Sequence, residues 1–263
     1  MARRVLNSLD GRKVGTDHEG YLVAKGFRAG VDGKQIDFPG PSRVVLFEDF
    51  AGLGLNPKFV FTEGTDSTTS DGAIVSGAVN GVFRLTAGDS AGTIAADGAM
   101  LNSALMFKAN AGNLVFEAKL SIAAITTVSI FVGLTDTVAL EGPVSLSGTT
   151  FTTNATDAVG FLFDTAATTD TLRLVGVAND VDATMQDTSL AFVAATDKTL
   201  RIEVATDGSA VFYIDGVQVG TAMSGAVTPT VALTPVVIIR PEGAVAGRTA
   251  DIDYVMVAQD RAA

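Results

Sequence analysis

Residues 199–220 constrain the fold more than any other stretch. They read Thr-Leu-Arg-Ile-Glu-Val-Ala-Thr-Asp-Gly-Ser-Ala-Val-Phe-Tyr-Ile-Asp-Gly-Val-Gln-Val-Gly. Leu200, Ile202 and Val204 alternate with Arg201, Glu203 and Ala205. A period of two puts the first set on one face of a strand and the second on the other. Asp207-Gly208 suits a tight hairpin turn, because glycine adopts positive φ without a Cβ penalty. Ala210, Phe212 and Ile214 form the next apolar row, Asp215-Gly216 turns the chain again, and Val217 and Val219 open a third strand. This antiparallel meander carries no chemistry of its own and points to an all-β sandwich.

The same signature recurs from Arg43 onward. Strands are expected at 44–50, 58–62, 73–79, 82–87, 104–109, 114–122, 128–135, 159–164, 172–178, 235–240 and 250–258. Asn80-Gly81 marks a hairpin turn between two of them. Residues 66–71 and 88–98 read as loops, and 179–188 as an acidic loop of hairpin character. Residues 136–157 have no clear periodicity; they read either as a functional loop or as a surface excursion covering one sheet. No segment joins helical periodicity to caps over ten residues or more. Roughly twelve to fourteen strands in two facing antiparallel sheets are expected.

Residues 1–43 differ from this body (44–263). They are rich in glycine and charge, and Phe38-Pro39-Gly40-Pro41 breaks regular structure before the first strong strand. Tyr21–Ala24 has room for one short strand. The segment reads as an extended N-terminal arm, too poor in apolar surface to order itself alone. It carries eight Lys/Arg against five Asp/Glu, a net of +3, whereas 44–263 carries ten against twenty-four, a net of −14. The arm is either a solvated segment or a tether for an acidic partner. The acidic body is a poor nucleic-acid binder.

The absence of cysteine from the 263 residues excludes disulfides, thiolate nucleophiles and Cys–zinc sites. Mean hydropathy is +0.36, yet no apolar run reaches the ~18 residues a membrane helix needs. Ser121–Leu134 comes nearest, and Ser and Thr interrupt it. Arg3-Arg4 is followed by polar sequence, so no secretory signal is expected.

Candidate chemistry is sparse. His18, the sole histidine, stands between Asp17 and Glu19 in the arm and reads as a solvated residue, because a catalytic base needs a built site around it. Jelly-roll glucanases place two acids on one strand as Glu-x-Asp. None of Glu19, Glu48, Glu63, Glu117, Glu141, Glu203 and Glu242 is followed two residues later by Asp. Asp251 and Asp253 share a strand face and read as an exposed acidic face. Asn179, Asp180, Asp182 and Asp187 have oxygens suited to calcium, at a spacing unlike an EF-hand loop. Sugar sites stack aromatic rings; the chain has no Trp and only Tyr21, Tyr213 and Tyr254, and most of its fifteen Phe fall in core positions. No catalytic, cofactor-binding or metal residue is assigned, and no cofactor is expected.

Leu-Phe-Glu-Asp-Phe (46–50), the block 200–220 and Asp-Ile-Asp-Tyr-Val (251–255) together resemble the concanavalin A-like (laminin-G-like) jelly roll. Residues 93–99, 110–117, 131–136, 175–184 and 226–237 resemble a group of tailed-bacteriophage virion proteins with that fold. The resemblance covers about 44–258. It implies a two-sheet antiparallel jelly-roll sandwich with an extended N-terminal arm, and a non-enzymatic virion protein with no catalytic residues to carry over. The implied setting is the capsid surface, after assembly in the host bacterial cytoplasm. The implied partners are the major capsid protein or other virion proteins, with self-association on the particle and neither nucleic acid nor membrane. The favoured role is capsid decoration or cementing through the arm. The alternative is a tail- or fibre-associated receptor-binding or glycan-binding module.

Overall fold

The computed structural model describes residues 15–16, 22–23, 27–28, 35–36 and 43–261, apart from 53, 66–69, 90–92 and 246. The chain divides into two compact units, 1–43 and 44–263. In the first, β1 (Gly15–Thr16) pairs antiparallel with β2 (Leu22–Val23), and β3 (Phe27–Arg28) pairs likewise with β4 (Gln35–Ile36).

The body opens with β5 (Arg43–Glu48), β6 (Phe59–Glu63), β7 (Asp71–Ile74), β8 (Phe83–Thr86), a one-turn helix α1 (Ile94–Asp97) and β9 (Ala99–Ser103). It continues with β10 (Leu114–Ile122), β11 (Val128–Thr135), β12 (Val144–Ser147), β13 (Thr150–Thr153), β14 (Ala158–Asp164) and β15 (Arg173–Ala178). It closes with β16 (Val181–Asp182), β17 (Gln186–Asp187), β18 (Lys198–Val204), β19 (Ala210–Ile214), β20 (Val217–Met223), β21 (Thr234–Pro241) and β22 (Thr249–Asp260).

These strands build two antiparallel sheets of eight. The first runs β20-β19-β18-β10-β22-β8-β7, with β5 also on β22; the second runs β16-β15-β14-β11-β21-β9-β6, with β17 also on β15. The all-β, two-sheet reading therefore holds, and the 199–220 meander forms one end of the first sheet as β18, β19 and β20.

One apolar core lies between the sheets. Along β10 burial alternates strictly, with Leu114, Phe116, Ala118, Leu120 and Ile122 inside. Phe212 of β19 meets Phe161 of β14 edge-on, with ring centroids 5.4 Å apart and planes at 85°. Such a pair is worth about 0.5–1.5 kcal/mol beyond the area it buries.

The second sheet is apolar on both faces: every residue of β11 and of β14 is buried. Its inner face joins the main core. Its outer face packs Phe131, Leu162, Val175, Val177, Val236 and Ile238 against Val144 and Leu146 of the β12–β13 hairpin. Residues 136–157 are thus the covering excursion. Fit there is tight: a Cβ on Gly160 would lie 2.4 Å from the Phe131 ring, so only glycine lets that ring cross the strand.

Several expectations fail: the two sheets hold sixteen strands rather than twelve to fourteen, and the strand expected at 73–79 ends at Ile74, leaving an eight-residue connection, 75–82, before β8. The strand expected at 104–109 lies at 99–103, in the stretch between the expected loop 88–98 and the expected strand. The Ala-Leu-Met-Phe run instead buries only Phe107, which makes an isolated bridge to Leu233, while Leu105 and Met106 stay exposed. An unbroken apolar run has no phase to set which residues turn inward. The helix α1 also arises inside the expected loop 88–98, capped by Thr93, whose Oγ1 accepts from the Ala96 amide at 3.2 Å.

Phe212 is fully buried, so Phe212→Ala is expected to cost about 3–5 kcal/mol, read by denaturant unfolding; a loss under ~1 kcal/mol would mean that the ring does not fill the core. Asn80 sits at φ 69° and Gly81 at φ 80° in the β7–β8 connection. A β-branched side chain resists that geometry, so Asn80→Val is expected to cost about 1–3 kcal/mol; an unchanged melting temperature would refute the turn assignment.

Candidate functional site

The outer face of the first sheet carries the densest set of polar side chains in the described body. Register brings them together. Glu117 of β10 stands opposite Arg201 of β18, and Arg201 stands opposite Tyr213 of β19. On the other flank β10 pairs with β22, with a register shift between Lys119 and Leu120: Lys119 faces Tyr254, but Leu120 faces Ile252. Asp253 is the extra residue of this bulge. The bulge resets the alternation, so Asp253 and Tyr254 are both only half-buried, between inward Ile252 and inward Val255.

Three cations on this face serve five acids. Arg84 binds Asp251 in a two-pronged pair, Nε to Oδ1 at 2.6 Å and Nη2 to Oδ2 at 2.7 Å. Lys119 Nζ lies 2.6 Å from Asp253 and 3.1 Å from Asp197. Arg201 holds Glu203 at 2.6 Å and Glu117 at 3.4 Å. The Tyr254 hydroxyl donates to Glu117 Oε1 at 2.7 Å, and Phe47, half exposed on β5, sets its ring centroid 6.0 Å from that of Tyr254.

The titration shifts follow from these pairs. The Asp251 bond raises Arg84, and the bonds to Asp253 and Asp197 raise Lys119. Burial works to lower Arg201, but Glu203 and Glu117 carry it upward overall. Burial and then the Glu117 bond hold the Tyr254 phenol above its usual range. Each of these five acids is paired with a cation. Glycoside hydrolysis asks instead for one carboxyl that keeps a transferable proton beside a second that is free to react.

The strongest carboxyl shift lies elsewhere, at the mouth of the covering hairpin. Asp164, fully buried at the end of β14, accepts from Ser129 Oγ at 3.1 Å, from the Leu146 amide of β12 at 3.2 Å and from the Ala166 amide at 3.0 Å. Arg240 Nη2 stands 3.7 Å from Asp164 and 2.5 Å from Glu242. Burial, followed by the Asp164 charge, pushes Glu242 up to about 7 against the pull of Arg240. The set fastens the hairpin to the sheet. Burial also raises Asp136 and Glu141 near the start of the excursion.

Of the residues singled out in the sequence, Asp251 and Asp253 do share a face, each in its own ion pair. The four oxygen-bearing residues are not gathered. Asn179 and Asp180 form a left-handed turn at φ 52° and 63°. Asp182 accepts from Thr153 Oγ1, and Asp187 pairs with Arg173 at 2.5 Å. Asp182 and Asp187 lie opposite Val177 and Arg173, four residues apart along β15 and so roughly 13 Å from one another. Among the described residues no three His, Asp or Glu side chains are grouped to hold a metal ion. Asp17, His18, Glu19 and Tyr21 lie outside the described residues. Sequence reasoning missed the Glu117–Arg201–Glu203–Tyr254 set and the exposed Phe47. The phase break at Asp253-Tyr254 was the available signal for the bulge.

No protein-family model matches the chain. No curated protein matches it either. Among solved structures, the Bacillus licheniformis β-glucanase is 16% identical, with 81% of this chain and 97% of that one covered at a TM-score of 0.55. The endo-β-1,3-glucanase of Pyrococcus furiosus is 12% identical, with 92% and 100% covered at 0.55. The Emp47p carbohydrate recognition domain is 11% identical, with 85% and 99% covered at 0.55. The fold is a concanavalin A-like jelly roll. At these identities the likeness extends to the fold alone.

The Glu242 carboxyl binds its proton more tightly in the folded chain than in the unfolded one, so stability should rise as pH falls from about 8 to about 5. Glu242→Gln should flatten that rise in melting temperature relative to the unmodified chain. Parallel curves for the two proteins would refute the assignment.

Proposed function

We propose that this chain is a non-enzymatic structural protein of a tailed-phage particle, a head decoration or cement protein that displays its sandwich and holds on through residues 1–43. The observation that supports it best is the state of the two outer faces. One sheet is covered by the chain's own hairpin; the other is a lattice in which Arg84, Lys119 and Arg201 pair with five acids around them. A face built this way serves contact rather than proton transfer. The resemblance of 93–99, 110–117, 131–136, 175–184 and 226–237 to phage virion sandwiches supports the setting. The opposite charges of arm and body, +3 and −14, suit a tether to an acidic surface. Many weak copies on a lattice hold through avidity, so each contact can be modest.

The second reading is a lectin-like module of a tail or fibre. It is favoured by the Phe47–Tyr254 ring pair beside Glu117 and Arg201, an aromatic platform flanked by hydrogen-bonding groups. Gold labelling of intact particles separates the two readings by position. Deletion of residues 1–43 should strip most copies from the virion, counted by quantitative mass spectrometry. Unchanged occupancy would remove the tether, and glycan-array binding lost on Tyr254→Ala would move the assignment to the lectin.

A further inference from the structure

The edges of the two sheets are not equally guarded. At the edge of the first sheet formed by β20, the Gln186 side chain imitates a strand: its Oε1 accepts from the Thr221 amide at 2.8 Å, and its Nε2 donates to the Thr221 carbonyl at 3.1 Å. On the same side, the edge strands β16 and β17 of the second sheet have only two residues each. Such devices keep edges from templating another strand.

Among the described residues the far edge of the second sheet has no such guard. It is β6, Phe-Val-Phe-Thr-Glu, which among the described residues pairs only with β9. The Gly64 amide bonds the Gly98 carbonyl at 2.8 Å, one step beyond the Glu63–Ala99 pair. Antiparallel bonding alternates, so Val60 and Thr62 bond inward to β9, while Phe61 and Glu63 turn their backbone groups outward. Beside this edge, on the outer face of the same sheet, lies an apolar recess of about 660 Å³. Val60, Leu105, Met106 and Val138 line it and are 52%, 42%, 40% and 50% exposed. Asn102 lines it too: it is 98% buried, its Nδ2 donates weakly to the Val138 carbonyl at 3.4 Å, and its Oδ1 has no hydrogen-bond partner among the described residues.

We infer that β6 and this recess form a docking edge for an extended segment of a partner protein, with apolar side chains at alternate positions and basic residues at its ends. The open backbone groups of Phe61 and Glu63 would take the main chain, and the recess would take every second side chain. A body of net charge −14 attracts a basic segment and repels a second copy of itself, which decides between those occupants. The inference does not rest on the virion reading, and its failure would leave that reading standing.

The test uses the full chain and a fluorescein-labelled, end-blocked peptide, Lys-Val-Thr-Val-Thr-Val-Lys. Anisotropy should show saturable binding, with hydrogen exchange slowed at the Phe61 and Glu63 amides. Val60→Asp should weaken binding at least tenfold. Glu63→Pro should do the same by removing one outward donor, which an edge strand tolerates without unfolding; Glu63→Gln should stay within about threefold of the unmodified chain. Melting temperatures of the variants control for folding. Absent saturation, or equal binding by Glu63→Pro and Glu63→Gln, overturns the inference. So does a dimer, seen by sedimentation, that Val60→Asp dissolves and the peptide does not displace.

Discussion

The rest of the structure depends on a sheet that is apolar on both sides. β11 and β14 bury every residue, so their sheet must be covered twice, because exposed apolar area costs about 25 cal/mol per Å². The first sheet supplies one cover, and the β12–β13 hairpin with its flanking loops supplies the other. Asp164 joins them, with acceptor bonds to Ser129 on β11 and Leu146 on β12. Residues 136–157, which have no periodicity in the sequence, are therefore structural in their central part.

This arrangement narrows where anything can bind. The covered face offers only its uncovered margin, at β6 and β9, where Val60, Leu105 and Met106 reach solvent. The first sheet offers its polar outer face. There five acids share three cations, and each of the five has a cation at hand. Exposed pairs of this kind add little stability, about 0–1 kcal/mol each. Their stronger effect is to hold the side chains in place, which gives the face a fixed pattern of charge.

Much of the fold was legible in the residues. The meander and the strands at 114–122 and 128–135 follow from alternation and turn chemistry and appear where the pattern places them, whereas Asn80-Gly81 keeps its positive φ but lies late in the longer connection 75–82. The miss at 104–109 has a local cause: four apolar residues in a row carry no phase, and only the bridge from Phe107 to Leu233 selects which one is buried. The candidate face was half legible. Glu117, Lys119, Arg201 and Glu203 stood in the outward rows of their strands, but nothing local set Glu117 against Arg201 or Asp251 against Arg84, which are 84 and 167 residues apart.

The sequence by itself determined which side chains of a strand turn inward and where the chain reverses, because both depend on neighbours two to four residues away. The tertiary structure alone decided which strands lie side by side, that a hairpin closes one face, that a bulge turns Asp253 and Tyr254 outward together, and that Asn102 is left with a vacant acceptor beside an open edge. Those outcomes are set by strand order and register, which join distant segments through backbone bonds that every residue makes alike and so leave little trace in residue type.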